Sequence, residues 1–127
     1  MTKKELKELM ELPLNDFGNA LCLQGIFGKR WQYLPRYKAW MYWDGCRWKG
    51  QRTKDIHYEA EAAFRNLAWD INRLPEPKEE WEREYRTEVY FWLTLSQEPV
   101  RVKNAVKMYR DMQLAEEMIR DDVLRGN

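Results

Sequence analysis

Basic and aromatic side chains are interleaved in one central segment of the chain. Residues 29–54, the basic window, hold eight lysines and arginines and a single acid, Asp44, for a formal charge of +7. The window also holds four of the seven tryptophans and three of the tyrosines. Cations bind phosphates and ring faces stack on unpaired bases, so this composition is typical of a nucleic-acid surface. The predicted contact residues are Lys29, Arg30, Arg36, Lys38, Trp40, Tyr42, Arg47, Lys49, Arg52 and Lys54.

A second interpretation of the basic window stays open. Aromatic residues also favour strands, so the rings could form a core and the lysines a solvated rim. The whole chain of 127 residues has a net charge of only +1, which leaves −6 on the residues outside the window. The charge is therefore divided between a basic centre and an acidic remainder.

Residues outside the window offer little catalytic chemistry. The segment Gly25–Lys29 lacks the spacing and the hydroxyl of a phosphate-binding loop, so we expect no ATP hydrolysis of that kind. The single histidine, His57, is more typical of a solvated or capping side chain than of a base. The two cysteines, Cys22 and Cys46, are too few for a zinc site of protein ligands and are expected to be buried thiols. We expect a non-enzymatic protein without cofactor or metal.

The apolar spacing predicts the elements that position the window. Thr2 to Glu5 reads as a capping box for a first helix, and Asn15 or Asp16 as the cap of a second helix closed by Gly25 and Gly28. Strands are predicted at 31–34, 37–43 and 46–48, with Asp44–Gly45 as a hairpin turn. These strands form a three-stranded antiparallel meander over about residues 31–49.

Alternation along the second strand divides its residues between two faces. Tyr37, Ala39, Met41 and Trp43 are the better core candidates. Trp40 and Tyr42 share the other face with Lys38, where they serve as stacking platforms or lie under a neighbouring helix. The sequence leaves that choice open.

Helical periodicity returns after the window. Thr53 is a candidate cap for a helix with a clean apolar stripe, formed by Ile56, Ala60, Ala63, Phe64, Leu67, Ile71 and Leu74. Pro75–Pro77 ends this helix, and Trp81, Tyr85, Val89 and Trp92 line the next one. Its glutamates, with Lys78, Arg83 and Arg86, indicate a solvated, ion-paired face. Pro99 begins a further helix that continues to the end or kinks near Asp111.

The predicted fold class is therefore α+β, in one domain over residues 1–127. Two short N-terminal helices (1–28) precede the meander (29–54), and a bundle of three to four helices follows (55–127). No stretch is apolar enough for a membrane span or a signal peptide, so a cytoplasmic protein is expected.

Several short strings resemble a known family. Gly18–Asn19–Ala20 is followed by Arg30-Trp31-Gln32-Tyr33-Leu34-Pro35 and then by Trp43-Asp44-Gly45-Cys46-Arg47-Trp48. Trp92, Ser96 and Arg101 follow in the helical region. This order resembles the helicase-associated N-terminal domain of phage, plasmid and poxvirus primase–helicases of superfamily 3, over roughly residues 15–112. The helicase motor of those proteins is missing here, so the resemblance implies an excised domain or a stand-alone accessory protein.

Two functions remain as hypotheses. The first is a non-enzymatic nucleic-acid-binding or replication-accessory domain of mobile-element origin in a bacterial host cell, with single-stranded DNA as the favoured ligand. The second is a protein–protein interaction module that docks on a replication or nuclease protein. A phage-encoded inhibitor of a host nuclease, similar to an anti-CRISPR protein, is one example, and it would use the acidic helix around Glu79, Glu80 and Glu84.

Overall fold

The described residues form five helices and one small sheet. The structure is a computed structural model, and it describes residues 1–124 and residue 126. In chain order the elements are α1 (Lys3–Met10), α2 (Asp16–Phe27), β1 (Trp31–Leu34), β2 (Ala39–Trp43), β3 (Trp48–Gln51), α3 (Thr53–Asn72), α4 (Glu80–Leu95) and α5 (Pro99–Leu124). The α+β class, the two N-terminal helices and the antiparallel meander are confirmed. Three helices follow the sheet, because α5 runs through Asp111 as one helix.

The N-terminal helices begin at the predicted caps. The Thr2 hydroxyl accepts the N–H of Glu5 at 3.1 Å, and the Asn15 side chain accepts the N–H of Gly18 at 2.8 Å. Gly18 permits a close approach, since a Cβ there would lie 1.7 Å from the carbonyl oxygen of Pro13. Gly25 lies inside α2 and does not end it; Gly28, with φ of 59°, takes that place.

The sheet has the order β1-β2-β3, with all neighbours antiparallel. β3 begins at Trp48 and not at Cys46 as predicted, because the Asp44 carboxylate accepts the N–H groups of both Cys46 and Arg47 and extends the turn. β2 begins at Ala39 and not at residue 37, because Lys38, with φ of 49°, completes the preceding turn.

The predicted assignment of the strand faces is wrong. Trp40 is 3% exposed, whereas Trp43 is 36% and Tyr37 68% exposed. The reason is the position of α5: the ring of its Tyr109 stacks on Trp40, with centroids 5.7 Å apart and planes 9° from parallel. The register then places Trp31, Tyr33, Trp40, Tyr42, Lys49 and Gln51 on the face toward the helices.

One side chain of α5 closes the edge of the sheet. The Gln113 amide oxygen accepts the N–H of Tyr33 at 2.9 Å, and its nitrogen donates to the carbonyl of Trp31 at 2.9 Å. A glutamine thus takes the place of a neighbouring strand along β1 and satisfies groups that an edge strand leaves open. This contact and the stacked rings anchor the sheet to α5.

The helical part follows the predicted stripe with local differences. Every predicted residue of α3 from Ile56 to Ile71 is buried, while Leu74 lies beyond the helix end and is half-buried. Thr53 is not the cap of α3; the Asp55 carboxylate reaches back to the N–H of Arg52 at 2.8 Å. In α4 the expected inward Trp81 is 65% exposed, and Leu93 joins Val89 in the core instead.

The two cysteines have different environments. Cys22 is buried as predicted, and burial raises the pKa of its thiol to about 12. Cys46 lies exposed in the β2–β3 turn, which corrects the expectation of two buried thiols. Within the described residues, no helix is long and apolar enough to cross a membrane.

Candidate nucleic-acid interface

Two exposed tryptophans lie beside the β2–β3 turn, on the sheet face opposite the one that packs on Tyr109 of α5. Trp43 and Trp48 are register partners on β2 and β3, with ring centroids 5.5 Å apart and planes at 57°. They are 36% and 43% exposed. We call their side of the sheet the outer sheet face. Its members, all exposed or half-buried, are Gln32, Leu34, Ala39, Met41, Trp43, Trp48 and Gly50.

Basic residues lie at both ends of this sheet. At one end the N–H of Trp43 donates to the carbonyl of Arg30 at 2.8 Å, which places Lys29 and Arg30 beside the turn that holds Arg47. At the other end, the β1–β2 turn contains Arg36 and Lys38. Arg52 and Lys54 follow β3 at the same end, because Gln51 pairs with Trp40. A strand of four or five residues separates the two ends by about 15 Å.

Some of these cations are already engaged. Lys49 lies 3.1 Å from the carboxylate of Asp44, and Arg52 lies 3.5 Å from that of Asp55. The Arg30 guanidinium donates to the carbonyls of Phe27 and Ile26 at the end of α2. The Arg36 guanidinium lies over the Tyr37 ring, 5.8 Å from its centroid. No ion pair to a described residue is formed by Lys29, Arg30, Arg36, Lys38, Arg47 and Lys54.

Asp44 is the one acid of the turn, and it organises the backbone. The N–H groups of Arg47 and Cys46 and the ammonium of Lys49 lower the pKa of its carboxyl to about 2. Asp44 therefore stays ionised and bonded to its own turn. Lys49 offsets the negative charge of Asp44. Lys29, Arg30 and Arg47 then leave an excess of positive charge at this end of the sheet.

Of the two predicted stacking residues, the structure buries Trp40 and leaves Tyr42 half-buried. Trp40 lies between Tyr109 and Tyr33, with its ring centroid 5.2 Å from that of Tyr33, and offers no free face. Tyr42 is half-buried beside Trp31, at 5.0 Å between centroids. Alternation along β2 is compatible with either face of the strand packing against the helices. Only the position of α5 shows that Trp43 and Trp48 are the exposed pair.

The arginines of α4, the acidic helix, have other partners than the predicted glutamates. The Arg83 guanidinium donates to the carbonyls of Pro77 and Lys78, and that of Arg86 donates to those of Leu74 and Pro75. The arginines thereby bind the α3–α4 loop, and the expected ion-paired face does not form. The exposed glutamates of this surface have no salt bridge to a described residue; they are Glu79, Glu80, Glu82, Glu84 and Glu88.

Four residues of the family resemblance, from separate parts of the chain, meet in one polar cluster: Asn19, Trp92, Ser96 and Arg101. Asn19 donates to the Ser96 hydroxyl at 2.9 Å and accepts the indole N–H of Trp92 at 2.9 Å. Arg101 lies over the Trp92 ring, 5.2 Å from its centroid, and pairs with Asp16 at 3.3 Å. Asn19 and Ser96 are both buried. The four side chains therefore join α2, α4 and α5, and their role is structural.

The described residues contain no group of three or more His, Cys, Asp or Glu side chains arranged to hold a metal ion. Burial, and then the charge of Lys103, lower the pKa of His57, which keeps it neutral near pH 7. His57 is half-buried in the first turns of α3.

One known protein family matches most of the chain. A family model described as D5 N terminal like matches residues 20–124. This range covers most of the chain, so the protein belongs to that family, the N-terminal domain of D5-type primase–helicases. It is a primase–helicase-associated domain. No curated protein and no solved structure matches the chain.

Proposed function

We propose that this domain binds single-stranded nucleic acid, with DNA favoured, on the outer sheet face, as a non-enzymatic replication-accessory domain. The observation that carries the proposal is the exposed Trp43–Trp48 pair with basic residues at both ends of its sheet. Bases of a single strand would stack on the two rings, and phosphates would meet the cations of the turns. Membership of a primase–helicase-associated family supports a partner of this kind.

The role of the tryptophans is tested with labelled single-stranded DNA in fluorescence anisotropy. Trp43→Ala and Trp48→Ala should each weaken binding by about 5- to 150-fold, since one stacked base contributes about 1–3 kcal/mol. Trp69→Ala is the matched control, because Trp69 is 65% exposed on α3 and outside the basic window. Equal affinity of all three variants would refute the stacking surface.

The role of the cations is tested by salt and charge reversal. Binding should weaken with a log–log slope of about −0.7 for each phosphate contact on a single strand. The combined change Arg36→Glu, Lys38→Glu and Arg47→Glu should abolish binding and preserve the fold, because none of the three forms an ion pair with a described residue. We leave Lys49 unchanged in this variant because it bonds Asp44. A protein that binds neither single nor double strands at low salt would overturn the proposal.

A second candidate function uses the opposite charge. Because Arg83 and Arg86 are directed to backbone carbonyls, α4 presents an acidic surface beside the exposed Trp81. Such a surface suits a basic partner protein of replication, or a nuclease whose nucleic acid it would imitate. Reversal of Glu79, Glu80 and Glu84 to lysine should then abolish capture of that partner while nucleic-acid binding by the outer sheet face is unchanged.

A further inference from the structure

A cleft opens between the inner side of the sheet and the start of α3, and we call it the α3 cleft. It has a volume of about 310 Å³. The sheet wall and the helix wall are formed by Trp31, Tyr42 and Gln51 and by Asp55, Tyr58 and Glu59, respectively. The outer sheet face shares no residue with this cleft, because its side chains lie on the opposite side of the sheet.

Aromatic rings come from both walls of the α3 cleft. Tyr58 is 64% exposed on α3, and Tyr42 is half-buried on β2. Trp31 is 5% exposed and lies against Tyr42, with 5.0 Å between the ring centroids. The accessible ring surface therefore comes mainly from the two tyrosines. Because the face of an aromatic ring is the negative part of its quadrupole, such surface attracts cations.

The charged groups of the α3 cleft are acidic. Asp55 and Glu59 lie one turn apart on α3, before and after Tyr58 in sequence. Glu59 is exposed and forms no ion pair with a described residue. Asp55 uses its Oδ2 atom for the N–H and the guanidinium of Arg52, which leaves Oδ1 as an acceptor. None of the described residues that line the cleft is basic, so the cleft favours a cation over a phosphate.

The combination of rings and oxygen acceptors favours one kind of organic cation. A guanidinium group is planar and weakly hydrated, so it stacks on aromatic rings, and its N–H groups bond to carboxylates in its own plane. The ammonium of lysine is more strongly hydrated. A quaternary ammonium has no N–H group to donate to Glu59 or Asp55.

We propose that the α3 cleft binds a guanidinium group between Tyr42 and Tyr58, with its N–H groups directed to Glu59 and Asp55. An arginine side chain of a partner protein and a small free guanidinium compound both carry this group. The inference goes beyond the proposed function and does not depend on it, since no residue of the outer sheet face takes part.

The chemistry of the ligand is tested by NMR titration with small compounds. N-acetyl-arginine amide at millimolar concentration should shift the indole N–H signal of Trp31 and the side-chain amide signals of Gln51. N-acetyl-citrulline amide, which has nearly the same shape without the charge, should bind at least about fivefold more weakly. N-acetyl-lysine amide should lie between the two. Equal affinity for the arginine and citrulline compounds, or no shift with either, would overturn the proposal.

Two exposed side chains of the cleft can be changed without loss of the fold. Tyr58→Ala should weaken binding of the arginine compound about two- to fivefold. Tyr37→Ala is its control, because Tyr37 is 68% exposed in the β1–β2 turn. Glu59→Gln should also weaken binding about twofold or more, and Glu84→Gln on α4 is its control. If both cleft variants bind the arginine compound as the wild type does, the proposal is refuted.

The source of the guanidinium group is distinguished by a peptide with one internal arginine and by methylguanidinium. At least about fivefold tighter binding of the peptide, lost in Tyr58→Ala, assigns the cleft to a partner protein. Equal binding assigns it to a free compound. A peptide with lysine in place of the arginine corrects for attraction to the acidic surface of α4.

The α3 cleft and the proposed function fail separately. The titrations contain no nucleic acid, so an absence of guanidinium binding leaves the outer sheet face as it stands. A domain that binds no oligonucleotide refutes the proposed function, and the titration with the arginine compound still decides for or against the cleft.

Discussion

The indole N–H of Trp92 donates to the side-chain oxygen of Asn19 at 2.9 Å, across 73 positions of sequence. The nitrogen of the same amide donates to Ser96, whose hydroxyl in turn donates to the carbonyl of Trp92 at 2.6 Å. One buried amide thus has both ends satisfied and fixes α2 against α4. The Gly18–Asn19–Ala20 string therefore has a structural place in the fold and contributes nothing to the proposed site.

Removal of the Asn19 amide should destabilise the domain. In Asn19→Ala the indole N–H of Trp92 loses its acceptor near the core, and we expect a loss of about 2 kcal/mol in the free energy of unfolding. Urea denaturation followed by circular dichroism measures this loss. Asn66→Ala, at an exposed position of α3, is the control and should change little. Equal midpoints for the two variants would contradict a structural role for the cluster.

Because Trp40 is buried and Trp43 is exposed, their substitution by alanine should destabilise the domain to different extents. Trp40→Ala removes a ring that packs on Tyr109 and should cost about 3–5 kcal/mol of stability. Trp43→Ala, at a 36% exposed position, should cost about 1 kcal/mol. Thermal or urea melts of the two variants measure the difference. A larger loss for Trp43→Ala would restore the face assignment that the sequence favours.

This contrast shows what the sequence could predict. The period of α3, the Asn15 cap and the Asp44–Gly45 turn follow from local chemistry, so the meander and its flanking helices are predictable. The buried face of β2 depends on Tyr109, which is 69 positions away from Trp40, and alternation along a strand carries no information about it. For the same reason the sequence leaves open whether Trp40 is a stacking platform or lies under a neighbouring helix, and the structure places Trp40 under α5.

The edge of β1 should depend on one side chain. Gln113→Ala removes both hydrogen bonds to the backbone of Trp31 and Tyr33, and we expect a loss of about 1–3 kcal/mol. Amide hydrogen exchange gives the specific signature, because the Tyr33 N–H should exchange faster while the amides within α3 keep their relative protection. Gln24→Ala is the control, since its bond to Glu116 is exposed. Unchanged exchange at Tyr33 would contradict the edge contact.

Acid should weaken the β2–β3 turn through Asp44. The N–H groups of Arg47 and Cys46, and then Lys49, lower the pKa of its carboxyl to about 2 from the ordinary 3.8. Because the folded-state pKa is the lower one, the stabilisation by the carboxylate is complete above about pH 4 and is lost as the pH falls toward 2.

Two measurements check this dependence. The carboxyl carbon shift of Asp44 in NMR should titrate near pH 2, and the free energy of unfolding should decrease from about pH 4 downward. Asp44→Asn keeps an oxygen acceptor for the turn but cannot titrate, so its unfolding free energy should fall less steeply with pH than that of the wild type. An Asp44 carboxyl that titrates near 3.8, or equal slopes for Asp44→Asn and wild type, would show that the turn does not hold the carboxylate as described.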